Sequence, residues 1–313
     1  QPLISSTSAS SKNEKTIKTT TMPNLQCLMD LPPSTAHGND DIVRIYLCRH
    51  GQTENNRLHL VQGARVDAPL NDTGERMAFR LGRALSSLPS TETRTLKVGV
   101  HSLLQRARQT AQFASESMLM KNDGSDEEEW VDRAMTGGGS RSSALKLKAL
   151  PELGEVDFGP GNEGKPAAEA RGDMYGTFGA WAIGKIDTRP RGGGETGREV
   201  LTRASQALSN LAIIASKNGG SVVAVSHSFY LRMLLSMALD IPLSQAILLD
   251  QKNACVNVLD IRIRNGTTIN RSVGHKSKIF GGRTSLAPSD FHLTIPEIEV
   301  VRINENRHLT GLG

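Results

Sequence analysis

Between Glu195 and Ser226 the chain places a long amphipathic helix pattern directly before a short strand that is apolar on both faces. Val200, Leu201, Ala204, Leu208, Leu211 and Ala215 recur at helical spacing on one stripe, which predicts a helix over 195–217. The strand after it, "SVVAVS", has almost no polar alternation, so both of its faces must be covered. "DIVRIYLC" (41–48) and "LKVGVHS" (96–102) read as strands of the same domain. Further strands are expected at "ALKLKAL" (144–150), "CVNVLDIRI" (255–263) and "EIEVVRI" (297–303). Helices are expected over 74–88, 104–120 and 229–239. Strands alternating with helices predict an α/β fold, a three-layer α/β/α domain with a mostly parallel central sheet. No internal repeat is visible.

The limits of that domain follow from composition. Residues 1–40 contain "SSTSASSKNEKTIKTTT", rich in Ser, Thr and Lys and too poor in apolar residues to bury a core. They read as a disordered tail or a targeting remnant, since a hydroxylated, basic, acid-poor segment also suits a transit peptide. Gln1 is not a start methionine, so the native N-terminus is expected upstream. The folded domain is expected over 41–310, with surface insertions at the acidic, then glycine-serine stretch 121–144 and at the polar stretch 264–294. Cys27, Cys48 and Cys255 are odd in number and lack metal-ligand spacing, which favours a reducing compartment without a disulfide framework. The compartment is accordingly expected to be cytoplasmic, or a plastid or mitochondrion if the tail is a transit peptide. Sequons at Asn265 and Asn270 would matter only in the secretory pathway. The net charge of +5 suits anionic ligands. No dense basic run interleaved with aromatics suggests nucleic-acid binding, and no apolar run reaches membrane-spanning length.

The chemistry gathers where strands end. In open parallel sheets ligands bind beyond the carboxyl ends of the strands. The strand at "IYLC" ends in Arg49-His50-Gly51, "VGVHS" leads into "LLQRARQTA" with Arg106, and "SVVAVS" ends in His227-Ser228. Two arginines and two histidines delivered to one sheet edge would form a compact cationic pocket, and an unpaired cation is costly to bury. A single strand-end histidine is usually structural. The coincidence of four such residues at one edge is what points to function.

"RHGQTENN", "QGARVDAPLNDTG", "SLLQRARQTA", "GEVDFG", "GGGETGREV", "VSHS" and "RINENRHL" resemble, in this order, the motifs of the histidine phosphatase superfamily in its phosphoglycerate mutase-like branch. They run from Arg49 to about Leu309. The resemblance implies the phosphoglycerate mutase-like fold and a phosphohistidine mechanism with His50 as nucleophile. Arg49, Arg106 and His227 would surround the transferred phosphoryl group, with Asn56, Gln62, Gly63, Ser228 and Glu195 contacting substrate. The residue types suit this chemistry. A neutral imidazole attacks phosphorus without prior deprotonation if its other nitrogen is held as a donor. Arginine forks match phosphoryl oxygens and remain charged. The family spacing puts the proton donor three residues before the aromatic of "FG", which selects Glu155, with Glu152 as the fallback for a shifted match. Gln52 stands where many members have glutamate, and "PGNEGKP" is one residue longer than the usual pattern. For Glu195, a place at the start of a helix capped by Thr196 is equally compatible.

The expected activity is therefore metal-independent hydrolysis of a small phosphorylated metabolite, with no cofactor and neither nucleic acid nor membrane as partner. "QGARVDAPLNDTG" and "EGKP…GGGET" are similar to the fructose-2,6-bisphosphatase and TIGAR-like members. The alternative is a phosphoglycerate mutase using the same intermediate, and a third reading is a catalytically silent phosphate-binding scaffold. Mutases need a lid to retain the intermediate. Residues 164–195 offer one helix carrying Met174, Tyr175, Phe178 and Trp181, whose expected use is core packing.

Overall fold

Strand β1 (Asp40–Arg49) and strand β4 (Ser221–Ser226) lie side by side and parallel, Arg44 opposite Ser221 through Arg49 opposite Ser226. Around this pair a six-stranded sheet is built in the order β3-β2-β4-β1-β5-β6. The computed structural model describes residues 28, 31, 40–89, 95–120, 143–264, 297–309 and 312. Strands β2 (Leu96–His101) and β3 (Lys146–Ala149) extend the parallel part beyond β4. Strands β5 (Val256–Arg264) and β6 (Glu297–Glu305) complete the other side, and both of their pairings are antiparallel. The sheet is thus mostly parallel, three pairings of five, with an antiparallel margin that strand patterning alone does not specify.

The two faces of the sheet separate cleanly because alternate side chains point to opposite sides. Val43, Ile45 and Leu47 of β1, with Val222 and Ala224 of β4, join one core; Tyr46, Cys48, Val223 and Val225 join the other. Over the first face pack helices α4 (Ala167–Ala182), α5 (Gly197–Lys217) and α6 (Ser228–Ala238). Helices α2 (Asp72–Ser86) and α3 (Gln105–Ser117) cover the second. All six residues of β4 are buried, as its unbroken apolar run requires. Two single-turn helices, α1 (Glu54–Arg57) and α7 (Leu243–Ala246), complete the described elements apart from 3-10 turns.

Local chemistry sets the helix boundaries. Asn71 caps α2 by accepting from the Gly74 N–H at 2.9 Å. Thr196 and Glu199 form a capping box at α5, so this helix begins at Gly197, two residues after Glu195. Leu104 gives α3 no side-chain cap, but the Asp67 carboxylate accepts from the Gln105 N–H at 2.5 Å, and this pins the 61–71 loop to the helix start. The few aromatics are concentrated rather than dispersed. Phe178 of α4 stacks on Phe229 of α6 with centroids 4.0 Å apart, Phe158 meets Phe229 edge-on at 5.6 Å, and Trp181 donates to the Thr188 carbonyl at 2.7 Å. Tyr175 departs from the expected core packing. It is 66% exposed, although it lies within one turn of buried Phe178.

Arg44 is buried in β1 and forms a bidentate pair with Asp260, its register partner on β5, with both contacts at 2.7 Å. Cys48 and Cys255 are free and buried. The expected tail, insertions and sequons lie outside the described residues apart from 28, 31, 40, 143, 144 and 264, as does Cys27. Among the described residues, no helix is long and apolar enough to cross a membrane.

Two glycines test this packing. A Cβ on Gly82 of α2 would lie 2.0 Å from the Ala114 carbonyl oxygen of α3, so α2 and α3 approach at a distance only glycine permits. A Cβ on exposed Gly176 of α4 would meet nothing within 4 Å. Gly82→Ala is expected to destabilise by about 1–3 kcal/mol through overpacking. Gly176→Ala is expected to stabilise by roughly 1 kcal/mol through helix propensity. Urea unfolding of the two variants reads both signs.

Candidate active site

The carboxyl ends of β1 and β4 place His50 and His227 together. The His50 N–H donates to the Ser226 carbonyl at 3.0 Å, continuing the strand pairing by one residue, and the two imidazoles lie 5.1 Å apart, centroid to centroid. His50 is 3% exposed and His227 is fully buried. His50 Nδ1 lies 2.7 Å from the Gly51 carbonyl, which can only accept, so Nδ1 carries the proton and Nε2 keeps its lone pair. Nε2 itself makes no hydrogen bond among the described residues. Such an imidazole is a nucleophile that needs no base.

Arg49 and Arg106 lie beside this pair and Arg232 lies near Arg49, and among the described residues none of the three grips a carboxylate. Arg49 donates to the Gln251 carbonyl at 2.6 Å. Arg106, in the first turn of α3, donates to the carbonyls of Val66 (2.7 Å) and Gly63 (3.2 Å), which leaves its Nε buried and unpaired among the described residues. Arg232 of α6 donates to the Leu249 carbonyl at 2.7 Å, two residues from the Gln251 carbonyl that holds Arg49. Carbonyls fix the guanidiniums in place without a direct carboxylate contact, whereas Arg44, Arg65 and Arg203 each grip a carboxylate. Burial pushes Arg49 down to about 10, and burial lowers Arg106 and Arg232 too. The pocket can therefore receive a multiply charged anion that offers paired oxygens to planar guanidinium forks, such as a phosphoryl group.

Glu155 lies against the start of α6. Its carboxylate accepts from the N–H groups of Val156 (2.9 Å), Tyr230 (2.9 Å) and Phe229 (3.3 Å). Its field reaches all three of these arginines. Glu152 is directed elsewhere and accepts from Asn210 of α5 at 3.2 Å.

The remaining expected contacts divide into two groups. Asn56 is near His50: its Oδ1 accepts from Thr53 N–H (3.2 Å) and from Asn253 (3.1 Å), while Asn253 also donates to the carbonyls of His50 and Gly51 at 3.2 Å. Gly63 sits under Arg106, where a Cβ would lie 2.1 Å from the Glu163 carboxylate. Ser228 is the first residue of α6. Gln62 donates to Thr53 at 2.6 Å and so braces the α1 cap. Glu195 is held by Arg203 through contacts of 2.9 and 2.8 Å, and Arg203 also donates to the carbonyls of Glu152, Gly154 and Glu155. Glu195 therefore anchors the loop that carries Glu155.

Sequence reasoning missed Ser102, Arg203, Arg232 and Asn253. Ser102 could have been found as the residue ending the β2 pattern, one position short of the level of His50 and His227. Asn253 acts through partners about two hundred residues away, and Arg203, though paired with Glu195 eight residues before it, also reaches back to the 152–155 carbonyls.

Burial, with Arg106 and Arg49 nearby, holds the His50 imidazole well below its ordinary range, and burial does the same to His227 beside Arg106, His50 and Arg49. In the unfolded chain both titrate near about 6.5. Below that pH the unfolded state binds more protons than the folded one. Stability is thus complete above about pH 6.5 and falls as the pH drops, with a slope approaching ~1.4 kcal/mol per pH unit for each histidine. Denaturant titrations at descending pH should show this slope, and the double variant His50→Asn/His227→Asn should flatten it.

The sequence pattern of the histidine phosphatase superfamily (branch 1) matches residues 45–127 and 136–272. Fructose-2,6-bisphosphatase TIGAR B of Danio rerio is 31% identical over 182 residues, which cover 58% of this chain and 58% of that protein. Fructose-2,6-bisphosphatase TIGAR of Mus musculus is 30% identical over 205 residues, 59% of this chain and 73% of the relative. The chain thus spans under two thirds of the length of the first of these relatives. Among solved structures, a mycobacterial protein titled hydrolase 2 superposes with a TM-score of 0.57 at 20% identity, covering 85% of this chain and 91% of the other, which establishes a shared fold.

Proposed function

Because the chain belongs to the histidine phosphatase superfamily (branch 1), we propose that it hydrolyses a small phosphorylated metabolite through a phosphohistidine formed on His50. The observation that carries this reading is the pair of guanidiniums beside an imidazole with a free Nε2, buried Arg106 and half-buried Arg49, both anchored by carbonyls rather than carboxylates. In the first step His50 Nε2 attacks phosphorus and the bond to the leaving oxygen breaks. Glu155 delivers a proton to that oxygen. In the second step water attacks the phosphohistidine, Glu155 takes up a proton from it, and inorganic phosphate leaves. Phosphoryl transfer depends mainly on positioning and on stabilising charge at the equatorial oxygens, the part given to Arg49, Arg106 and His227. Asn56, with its Oδ1 already occupied, offers its amide N–H groups to the same oxygens.

The relatives named as fructose-2,6-bisphosphatases support a sugar-phosphate substrate. Hydrolysis rather than return of the phosphoryl group to a hydroxyl is supported by the span 164–195, whose only helix is α4, with Phe178 and Trp181 committed to the core. A mutase would need that span to exclude water while the intermediate waits.

Incubation with a ³²P-labelled sugar phosphate followed by alkaline quench should trap label on the wild-type protein and release inorganic phosphate. His50→Ala should abolish both while leaving thermal unfolding intact, and turnover by the folded variant would sink the mechanism. With 3-phosphoglycerate and a trace of 2,3-bisphosphoglycerate, accumulation of 2-phosphoglycerate faster than free phosphate would identify a mutase instead.

The proton donor has its own test. Glu155→Gln should lower turnover of alkyl phosphates by about 10²–10⁴-fold and of p-nitrophenyl phosphate far less, because a good leaving group needs no proton. Glu152→Gln should leave both within a few-fold of wild type. The opposite ranking would transfer the role to Glu152.

A further inference from the structure

His227 presents a proton-placement problem that the active-site motif does not address. A histidine that binds phosphoryl oxygens must offer an N–H, yet burial beside Arg106 and Arg49 keeps this ring neutral, so it carries one proton and two candidate nitrogens. One nitrogen has a partner. His227 Nε2 lies 2.6 Å from Ser102 Oγ, and Ser102, at the end of β2, is fully buried. His227 Nδ1 is buried and has no partner among the described residues. Ser102 Oγ already accepts from the Leu104 N–H at 3.3 Å and, among the described residues, has no other acceptor for its own proton.

Counting donors separates the two tautomers. If Nε2 carried the proton, it would donate to Ser102 Oγ. The serine O–H would then be a buried donor without an acceptor, and Nδ1 a buried acceptor without a donor. If Nδ1 carries the proton, Ser102 donates to Nε2, every group around Oγ is satisfied, and only the Nδ1–H remains open. The first arrangement leaves two buried groups unsatisfied and the second leaves one. That one is a donor beside Arg49 and Arg106, where an anion would accept from it.

We propose that Ser102 is a positioning residue that fixes His227 in its Nδ1–H tautomer, so that a neutral imidazole serves as a directed hydrogen-bond donor to the phosphoryl group. The role in binding rests on the phosphoryl-transfer reading of the site, whereas the tautomer assignment does not. The two histidines then share one tautomer and present opposite faces. His50 offers a bare Nε2 to phosphorus because Gly51 takes its Nδ1–H, and His227 offers Nδ1–H to oxygen because Ser102 fills its Nε2.

Long-range ¹H–¹⁵N correlation spectra of histidine-labelled protein at pH 7.5, assigned through His227→Gln, report the two nitrogens separately. The expected wild-type spectrum has His227 Nδ1 protonated and Nε2 bare. Ser102→Ala should move His227 toward the Nε2–H form and lower kcat/KM by about ten- to a hundredfold. Ser102→Thr, which keeps the hydroxyl, should restore both. A wild-type Nε2–H signal, or an alanine variant with unchanged tautomer, would overturn the proposal. The wild-type spectrum alone decides should the alanine variant fail to fold. A correct tautomer whose signals do not respond to inorganic phosphate would leave Ser102's role standing and count against the phosphoryl-binding reading.

Discussion

Everything at the candidate site depends on β4 lying between β1 and β2. The chain leaves β1, forms α2 and returns as β2, yet the space beside β1 is taken by a strand that comes much later in the sequence. Because β1 and β4 run parallel and in register, their ends coincide, and the backbone bond from His50 to Ser226 continues the ladder into the site. Two imidazoles therefore meet by strand pairing rather than by loop conformation. Side chains based on strand ends are held by the whole sheet, and this suits chemistry that rests on position more than on acid–base strength.

A second tier of contacts converts that placement into charge. The guanidiniums of Arg49, Arg106 and Arg232 are bound by backbone carbonyls, which orient a cation without neutralising it. Arg203 has the complementary part. It neutralises Glu195 and ties down three carbonyls of the 152–155 loop, setting Glu155 against the start of α6. Its guanidinium also stacks over Tyr230 at 4.5 Å, and the N–H of Tyr230 binds Glu155. Arg44 and Arg203, paired with carboxylates, brace the scaffold, whereas Arg49, Arg106 and Arg232 are held by carbonyls alone.

Much of this was legible in the sequence, for local reasons. The α5 stripe and the unbroken β4 run specify their elements because burial periodicity is a local property, and both appear within two residues of expectation. Arg49, His50, Arg106 and His227 are visible because each follows a recognisable strand. What was hidden lies in partnerships across the chain. Ser102 and His227 are 125 positions apart, and nothing near Ser102 announces a histidine. Asn253 meets His50 only because β5 turns back antiparallel to β1, a direction its alternation does not encode. Glu195 was singled out through its motif, and the ion pair it makes with Arg203, two turns into the helix that follows, was not. Tyr175 shows the limit of composition, since an aromatic within a turn of buried ones need not itself be buried.

The thiol at the base of the site has a consequence for durability. The Cys255 carbonyl accepts the Arg49 N–H at 3.1 Å, so this cysteine is built into the strand end from which the anion pocket springs. Burial pushes its thiol up to about 12, and Cys48 is likewise raised. Peroxides attack the thiolate, and at neutral pH almost none exists at either position. The group proposed to react is an imidazole, which peroxide attacks far less readily than a thiolate. In the proposed mechanism no step passes through either thiol, so the two cysteines under the pocket serve it as packing and backbone alone.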